Sequence, residues 1–228
     1  MNRTFDVATS YAASILRLGA GRSVGGLGRR PEKLLELYEF EACPFCRRVR
    51  EALSFFDLSA TILPCPKGGR LRAGVIAKGG KEQFPYLVDP NTDVAMYESA
   101  DIVRYLADNY GDGNAPLSLG PLAIASGSLA SALRARGRRA RRARVPDKPL
   151  TLYSFEASPY CRIVRERLSE LELVYHLINV GQRSAERAPF VKRSGKMMVP
   201  YLIDPNTGTE MFESANIATY LEETYAVA

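Results

Sequence analysis

Histidine is almost missing from this chain: His176 stands alone among 228 residues. Cysteine is sparse as well, at Cys43, Cys46, Cys65 and Cys161. A structural zinc site wants four Cys or His ligands. One Cys-x-x-Cys pair, two lone cysteines and one histidine do not supply them, so no metal site is expected. Four cysteines in a chain this long do not make a disulfide framework either, and a reducing, cytoplasmic compartment fits better. Long apolar runs are lacking: none approaches the ~18–20 residues of a membrane span. Acids are lacking at the start, where Met1 to Arg30 holds only Asp6, the composition of a transit peptide. Aromatics are lacking between Arg134 and Arg144, where seven arginines fall at 134, 136, 138, 139, 141, 142 and 144. Such a run is a nucleic-acid or anionic-surface patch in one reading. Without interleaved stacking platforms, a solvated face or linker is the better one.

What is present is an ordinary globular composition, 46% apolar and 25% charged with a formal net charge of +6. The length suits one large or two small domains. A duplication decides between them. Leu37-Tyr-Glu-Phe-Glu-Ala-Cys-Pro-Phe-Cys46 returns 115 residues later as Leu152-Tyr-Ser-Phe-Glu-Ala-Ser-Pro-Tyr-Cys161. Pro85-Tyr-Leu-Val-Asp-Pro-Asn-Thr92 returns from Pro200, and Met96-Tyr-Glu-Ser-Ala100 from Met211. Between Glu36 and Tyr110, 33 of 75 residues match their counterparts without a gap. The chain is two copies of one unit. The repeat reaches upstream to Pro31-Glu-Lys33 and Pro146-Asp-Lys148, each preceded by a helix-compatible, small-residue segment that ends in arginines. This assigns the N-terminus to the repeated unit rather than to a transit peptide. The expected organisation is an N-terminal helical extension (1–33), a first domain (34–110), a linker with an arginine-rich helix (111–148) and a second domain (149–228).

Each unit reads as strand, helix, strand, weak helix, hairpin, helix. In the first these are Leu34–Phe40, Pro44–Asp57, Ala60–Cys65, Arg70–Ala77, Phe84–Asp89 with Val94–Met96, and Ser99–Asn109. Pro90-Asn91-Thr92-Asp93 supplies the turn of the hairpin. That order predicts an α/β fold, a four-stranded mixed sheet with helices on both faces.

Cys43-Pro-Phe-Cys46 falls where the first strand gives way to a helix. There Cys43 stands at or near the N-cap, where unpaired N–H groups and the helix dipole favour a thiolate. Pro44 suits the first helical position. Cys46, one turn on, is placed to attack a mixed disulfide on Cys43, and Arg47 and Arg48 add positive charge nearby. Two inert buried cysteines, or half a zinc site, are the competing readings. Cys65, alone at a strand end, is expected to be partly buried and inert.

These motifs resemble the thioredoxin superfamily, in particular its glutaredoxin and N-terminal glutathione S-transferase branch. The likeness covers Leu34–Tyr110 and Pro149–Tyr225 and implies two tandem thioredoxin-like domains. It implies glutathione as cofactor. It also implies cis peptide bonds at Phe84-Pro85 and Val199-Pro200, with Phe84 and Val199 offering backbone groups to the ligand. Glu98-Ser99 and Glu213-Ser214, at helix starts, would hold the γ-glutamyl end of glutathione; a plain helix cap is the alternative. Two departures matter. A second thioredoxin-like unit stands where a transferase has its all-helical domain, and Ser158 replaces Cys43 in the second copy. Ser158 would bind glutathione or mark a degenerate half.

The leading expectation is therefore a glutathione-linked thiol–disulfide oxidoreductase with Cys43 as nucleophile and Cys46 as resolving thiol. It would act on disulfides or glutathionylated substrates, as a monomer or homodimer. The alternatives are a glutathione-dependent transferase, peroxidase or isomerase, since the Cys turn also resembles the prostaglandin E synthase type 2 branch, and a non-enzymatic Fe–S or interaction module.

Overall fold

The computed structural model describes residues 7–11, 20–120, 124, 128 and 134–227. In the first half β1 (Leu35–Glu39), α1 (Pro44–Phe55) and β2 (Ala60–Pro64) are followed by α2 (Arg72–Gly79), the hairpin β3 (Tyr86–Asp89) and β4 (Val94–Met96), and α3 (Ser99–Tyr110). The second half repeats this as β5 (Leu150–Ser154), α4 (Pro159–Glu170), β6 (Tyr175–Asn179), α5 (Arg187–Ser194), β7 (Tyr201–Asp204), β8 (Thr209–Phe212) and α6 (Ser214–Tyr225). Within each half the first two strands run parallel and the rest antiparallel. Residues 7–11 are helical, and much of both helix-compatible extensions lies outside the described residues.

Strand periodicity divides the two faces. Leu35, Leu37 and Leu87 point to the face covered by α1 and α3, where they meet Val49, Leu53 and Ile102. Tyr38 and Tyr86, one residue out of phase, point to the other face and pack with Val75 of α2. The repeated Asp-Pro-Asn-Thr turn has its own cause. The Asp89 carboxylate accepts hydrogen bonds from Asn91 N (2.8 Å) and from the hydroxyls of Tyr105 (2.6 Å) and Tyr110 (2.5 Å), which ties the hairpin to α3. Asp204 does the same with Asn206, Tyr220 and Tyr225.

The two halves do not fold as separate beads on a linker. Their sheets join edge to edge into one eight-stranded sheet, ordered β4-β3-β1-β2-β6-β5-β7-β8. At the seam β2 and β6 pair antiparallel, Ala60 opposite Leu177, Thr61 opposite His176 and Ile62 opposite Tyr175. Thr61 and His176 are each other's counterparts in the repeat, and the flanking pairs exchange. The register is that of an isologous dimer contact made within one chain. It removes the edge that each four-stranded sheet would otherwise expose. One apolar cluster runs through both halves, from Leu37 past Ile62 and Tyr175 to Leu152.

The arginine run is not helical. Residues 134–144 form an extended strap with one turn. Gly137 within it has φ +76°, and a Cβ there would stand 2.8 Å from the Glu41 Cβ, so a glycine is required. Ahead of the strap, Leu117–Leu119 makes a short 3-10 turn that buries Leu119, whose carbonyl accepts the Arg48 Nε–H at 2.6 Å.

Candidate active site around Cys43

Cys43 is the N-cap of α1. Its backbone is extended (φ −80°, ψ 121°), and its Sγ accepts the Cys46 N–H at 3.2 Å. Its own N–H donates to the Phe40 carbonyl at 3.0 Å, closing the turn. Pro44 fills the first helical position without wasting a donor. All four cysteines are free thiols. The pair is electrically asymmetric. The hydrogen bond from the Cys46 thiol draws the Cys43 pKa below its ordinary value, against the opposing effect of burial. Burial, with the Cys43 sulfur beside it, holds Cys46 well above the ordinary value. Cys43 is 5% exposed and Cys46 fully covered, while Phe45 between them is 44% exposed.

The Phe84-Pro85 bond is cis, as is Val199-Pro200. The Phe84 ring meets the Phe40 ring edge-on at 6.0 Å. Since the Phe40 carbonyl holds Cys43, the proline turn and the cysteine turn share a wall. Glu98, at the start of α3, has φ 66° and ψ 110°, a conformation uncommon and costly for a residue with a Cβ. Gln83 donates to its carboxylate at 2.5 Å. Ser99 is the first helical residue and buried, and no side chain caps the helix. Glu213 repeats the strained backbone at φ 72° ahead of Ser214.

The second site differs. Ser158 is the N-cap of α4, and its Oγ accepts the Cys161 N–H at 3.3 Å. Burial pushes the Cys161 thiol up. The N-terminal helical stretch sits on this turn: Ser10 Oγ donates to the Pro159 carbonyl at 2.7 Å, and Tyr11 meets Tyr160 edge-on at 5.8 Å. Ser214 instead lines a cavity of about 540 Å³ with Val7, Arg167 and Glu222.

Behind the two cysteine turns lies something the sequence reading missed. Helices α1 and α4 face each other across the seam, and their arginines are buried. Arg50 pairs with Glu39, with Glu41 at 3.2 Å and with Glu156 at 3.0 Å. Arg165 pairs with Glu41 at 3.0 Å and Glu156 at 2.9 Å. Glu41 and Glu156 are counterparts in the repeat, as are Arg50 and Arg165, so each arginine reaches across to the other half. Burial alone would raise Glu156, but Arg165 and Arg50 hold its carboxyl down, at about 2. Glu39, whose counterpart is Ser154, has no symmetric partner. Burial pushes its carboxyl up to about 7 despite Arg50, and its charge opposes ionisation of both Cys43 and Cys46. Arg47 and Arg48 do not serve the thiol as expected: Arg47 bonds Glu51 at 3.2 Å, and Arg48 bonds the Leu119 carbonyl. Cys65 is fully covered rather than partly so, and burial raises its thiol as well. A signal did exist in the sequence: Arg-x-x-Arg-Glu at 47–51 returns unchanged at 162–166.

Each half therefore has the thioredoxin-like elements, a Cys or Ser at a helix N-cap and a cis-proline turn, and in the first half the two turns share the Phe40–Phe84 wall. The chain belongs to the glutathione S-transferase N-terminal domain family, which it matches twice, over residues 37–115 and 152–227. Glutathione is that family's ligand. Among solved structures the chain is similar to Leishmania TDR1, described as a unique trimeric glutathione transferase. The identity is 14%, over 86% of this chain and 68% of that one, with a TM-score of 0.32, a likeness too distant to argue from. No curated protein matches the chain. Among the described residues, no helix is long and apolar enough to cross a membrane and no cluster of His, Cys, Asp or Glu could hold a metal ion.

Proposed function

We propose that the first half is a glutathione-linked thiol–disulfide oxidoreductase, with the second half as its structural partner. The observation that carries this reading is the polarised pair: Cys43 at the helix N-cap, drawn below the ordinary thiol pKa by Cys46. A thiolate, not a thiol, is the nucleophile in disulfide exchange.

The Cys43 thiolate attacks the glutathionyl sulfur of a mixed disulfide. A Cys43–glutathione disulfide forms, the substrate's sulfur–sulfur bond breaks, and the substrate leaves as a thiolate that takes a proton from water. Cys46, losing its proton, then attacks the Cys43 sulfur and expels glutathione. The Cys43–Cys46 disulfide is reduced by two further glutathione molecules, which leave as oxidised glutathione. The turn at Phe84-Pro85 offers backbone groups to the bound peptide, and the start of α3 at Glu98-Ser99 takes its γ-glutamyl end. At 5% exposure, Cys43 suits glutathione mixed disulfides on small or flexible partners better than rigid protein surfaces. In the second half Ser158, Val199, Pro200, Glu213 and Ser214 keep the shape of a glutathione site without a nucleophilic sulfur at its head.

The test is reduction of a glutathione mixed disulfide by the full chain, its Cys43→Ser variant and its Ser158→Ala variant. Cys43→Ser should lose turnover and Ser158→Ala should keep it. Turnover surviving in Cys43→Ser and lost in Ser158→Ala would instead make the second half a serine-type transferase.

A further inference from the structure

Two segments of the chain run as straps that touch both halves, and their backbones are fastened in the same way. Val24 N donates to the Gln182 carbonyl at 2.8 Å, Gly25 N to that of Phe55 at 2.8 Å and Gly28 N to that of Tyr110 at 3.0 Å. In the arginine strap Ala140 N donates to the Lys67 carbonyl at 3.0 Å, Arg141 N to that of Glu170 at 2.7 Å and Arg144 N to that of Tyr225 at 2.8 Å. Lys67, Glu170 and Tyr225 are the repeat counterparts of Gln182, Phe55 and Tyr110. Gly21 and Gly137 open the two straps with the same left-handed backbone, at φ +77° and +76°. Matched by these bonds, residues 22–28 correspond to 138–144. The paths agree and the side chains do not. Ser23, Gly25, Gly26 and Gly28 stand where the second strap has Arg139, Arg141, Arg142 and Arg144. The fastening is made by backbone groups and needs no arginine.

Contacts within the molecule account for only some of these cations. Arg134 is buried against Glu166, and Arg141 pairs with Glu222 at 2.6 Å. Arg138, Arg139, Arg142 and Arg144 are exposed and have no ion pair among the described residues. The acids beside them are engaged. Glu170 accepts from Gly137 N at 3.1 Å and pairs with Arg167, and Glu222 holds both Arg141 and Arg167. An open cavity of about 650 Å³ is lined by Arg136, Arg138, Arg139, Arg141 and Arg167, with Glu170 the one carboxylate among its lining residues. The chain's formal net charge is +6, and residues 134–144 hold seven arginines and no acid. The rest of the molecule is therefore slightly negative, and the positive field is concentrated on this strap.

The geometry points to the second strap as a binding surface for the phosphate backbone of duplex nucleic acid, with Arg138, Arg139, Arg142 and Arg144 as the phosphate contacts. Guanidinium forks meet phosphate oxygens in bidentate fashion. An extended segment spaces its residues at about 3.3 Å, against a duplex that carries a charge every ~1.7 Å along its axis. The pinned backbone holds the cations in place before binding, so less order is lost when they pair. No aromatic side chain lies between Arg134 and Arg144 to stack on an unpaired base, and phosphate contacts alone carry no sequence information. A membrane surface is the poorer match. It wants apolar side chains to insert, and between Arg138 and Arg144 the strap offers only Ala140 and Ala143. The inference goes beyond the thiol chemistry and stands whether or not Cys43 reacts.

The experiment uses the full chain, a strap variant (Arg139→Gln, Arg142→Gln, Arg144→Gln) and a surface control (Lys33→Gln, Lys192→Gln, Lys196→Gln) that loses the same charge at exposed positions elsewhere. Arg138 stays in the variant because it also lines the cavity beside Phe40. Fluorescence anisotropy follows a short labelled DNA duplex of arbitrary sequence between about 50 and 200 mM salt. Co-sedimentation with vesicles of phosphatidylserine in phosphatidylcholine is the parallel arm. The log of the affinity should fall with log salt, and each arginine removed should take about 0.9 off that slope. At the lower salt the strap variant should bind the duplex at least about tenfold more weakly than the parent, with the control near the parent. Its thermal unfolding should match the parent's, since the strap is fastened by its backbone. Should the triple variant unfold early, the Arg142→Gln, Arg144→Gln pair replaces it and should lose about 1.8 of slope. The proposal is overturned if the parent shows no salt-dependent duplex binding or if the control loses as much as the strap variant. It is overturned equally if the strap variant loses vesicle binding while its duplex binding holds.

Discussion

Replacing Arg50 with methionine should unfasten the two halves from each other. The side chain is 1% exposed and holds three carboxylates, Glu39, Glu41 and Glu156. Removing one partner of a buried ion pair costs about 3–5 kcal/mol, because a buried charge is left uncompensated. Glu41 and Glu156 keep Arg165, so the loss falls on Glu39, whose only ion pair among the described residues is with Arg50. A carboxyl already pushed to about 7 escapes part of the cost by taking a proton. The expected loss is therefore about 3 kcal/mol near neutrality, or roughly 6–12 °C in Tm for a chain of this size. It should be larger near pH 8 than near pH 6, because the stranded carboxyl is then harder to protonate. Adding Glu39→Met removes the stranded charge and should bring the double variant back to within about 1 kcal/mol of the parent. Urea unfolding of the three proteins at both pH values measures this. A loss below about 1 kcal/mol at the higher pH, or a double variant no better than the single, would show that the buried network does not tie the halves.

Three further outcomes follow from the same groups. Cys46→Ala removes the hydrogen bond that draws Cys43 down, so Cys43 should titrate higher; its ultraviolet thiolate absorbance against pH reads this, and an unmoved midpoint would refute it. Glu39→Gln should flatten the pH dependence of stability. A carboxyl raised in the folded state from 4.5 to about 7 contributes stability that is whole below 4.5 and lost as pH rises through about 7. On the order of 3 kcal/mol of that decline should vanish, and an unchanged unfolding profile across the window would count against the burial of this group. Residues 1–120 expressed alone would expose the β2 edge and strand Arg50 and Glu41 without their cross-half partners; they should aggregate or unfold without a cooperative transition, and a cooperative unfolding curve from this fragment would contradict one shared core.

Most of the architecture could be read in advance because it rests on local signals. The period-two alternation of Leu37 and Tyr38, the Pro-Asn-Thr turn and the cysteine at a strand-to-helix boundary each fix their own surroundings. The order of elements matches residue by residue to within about two positions at the ends. What could not be read locally is how one copy meets the other. Arg47 and Arg50, spaced on a helix among other charges, look like a solvated face. They are buried because the second copy brings Glu156 to them, and no window of 15 residues contains that fact. The strap fails as a helix for a similar reason. Its backbone groups are used by Lys67, Glu170 and Tyr225, partners far away in sequence, and Gly137 is spent on the close approach to Glu41.

The duplication itself separates what the seam needs from what the site needs. Glu41, Arg47, Arg50 and Glu51 recur as Glu156, Arg162, Arg165 and Glu166, and all eight are buried. Arg50 and Arg165 each pair with both Glu41 and Glu156, so a change in one copy strands a charge belonging to the other. Outside the seam the copies are free to differ, and two of the differences bear on the thiol: Cys43 stands against Ser158, and Glu39, whose charge opposes ionisation of Cys43, stands against Ser154. The seam is thus kept in both copies, while the sulfur and the buried carboxyl that acts on it are carried by one.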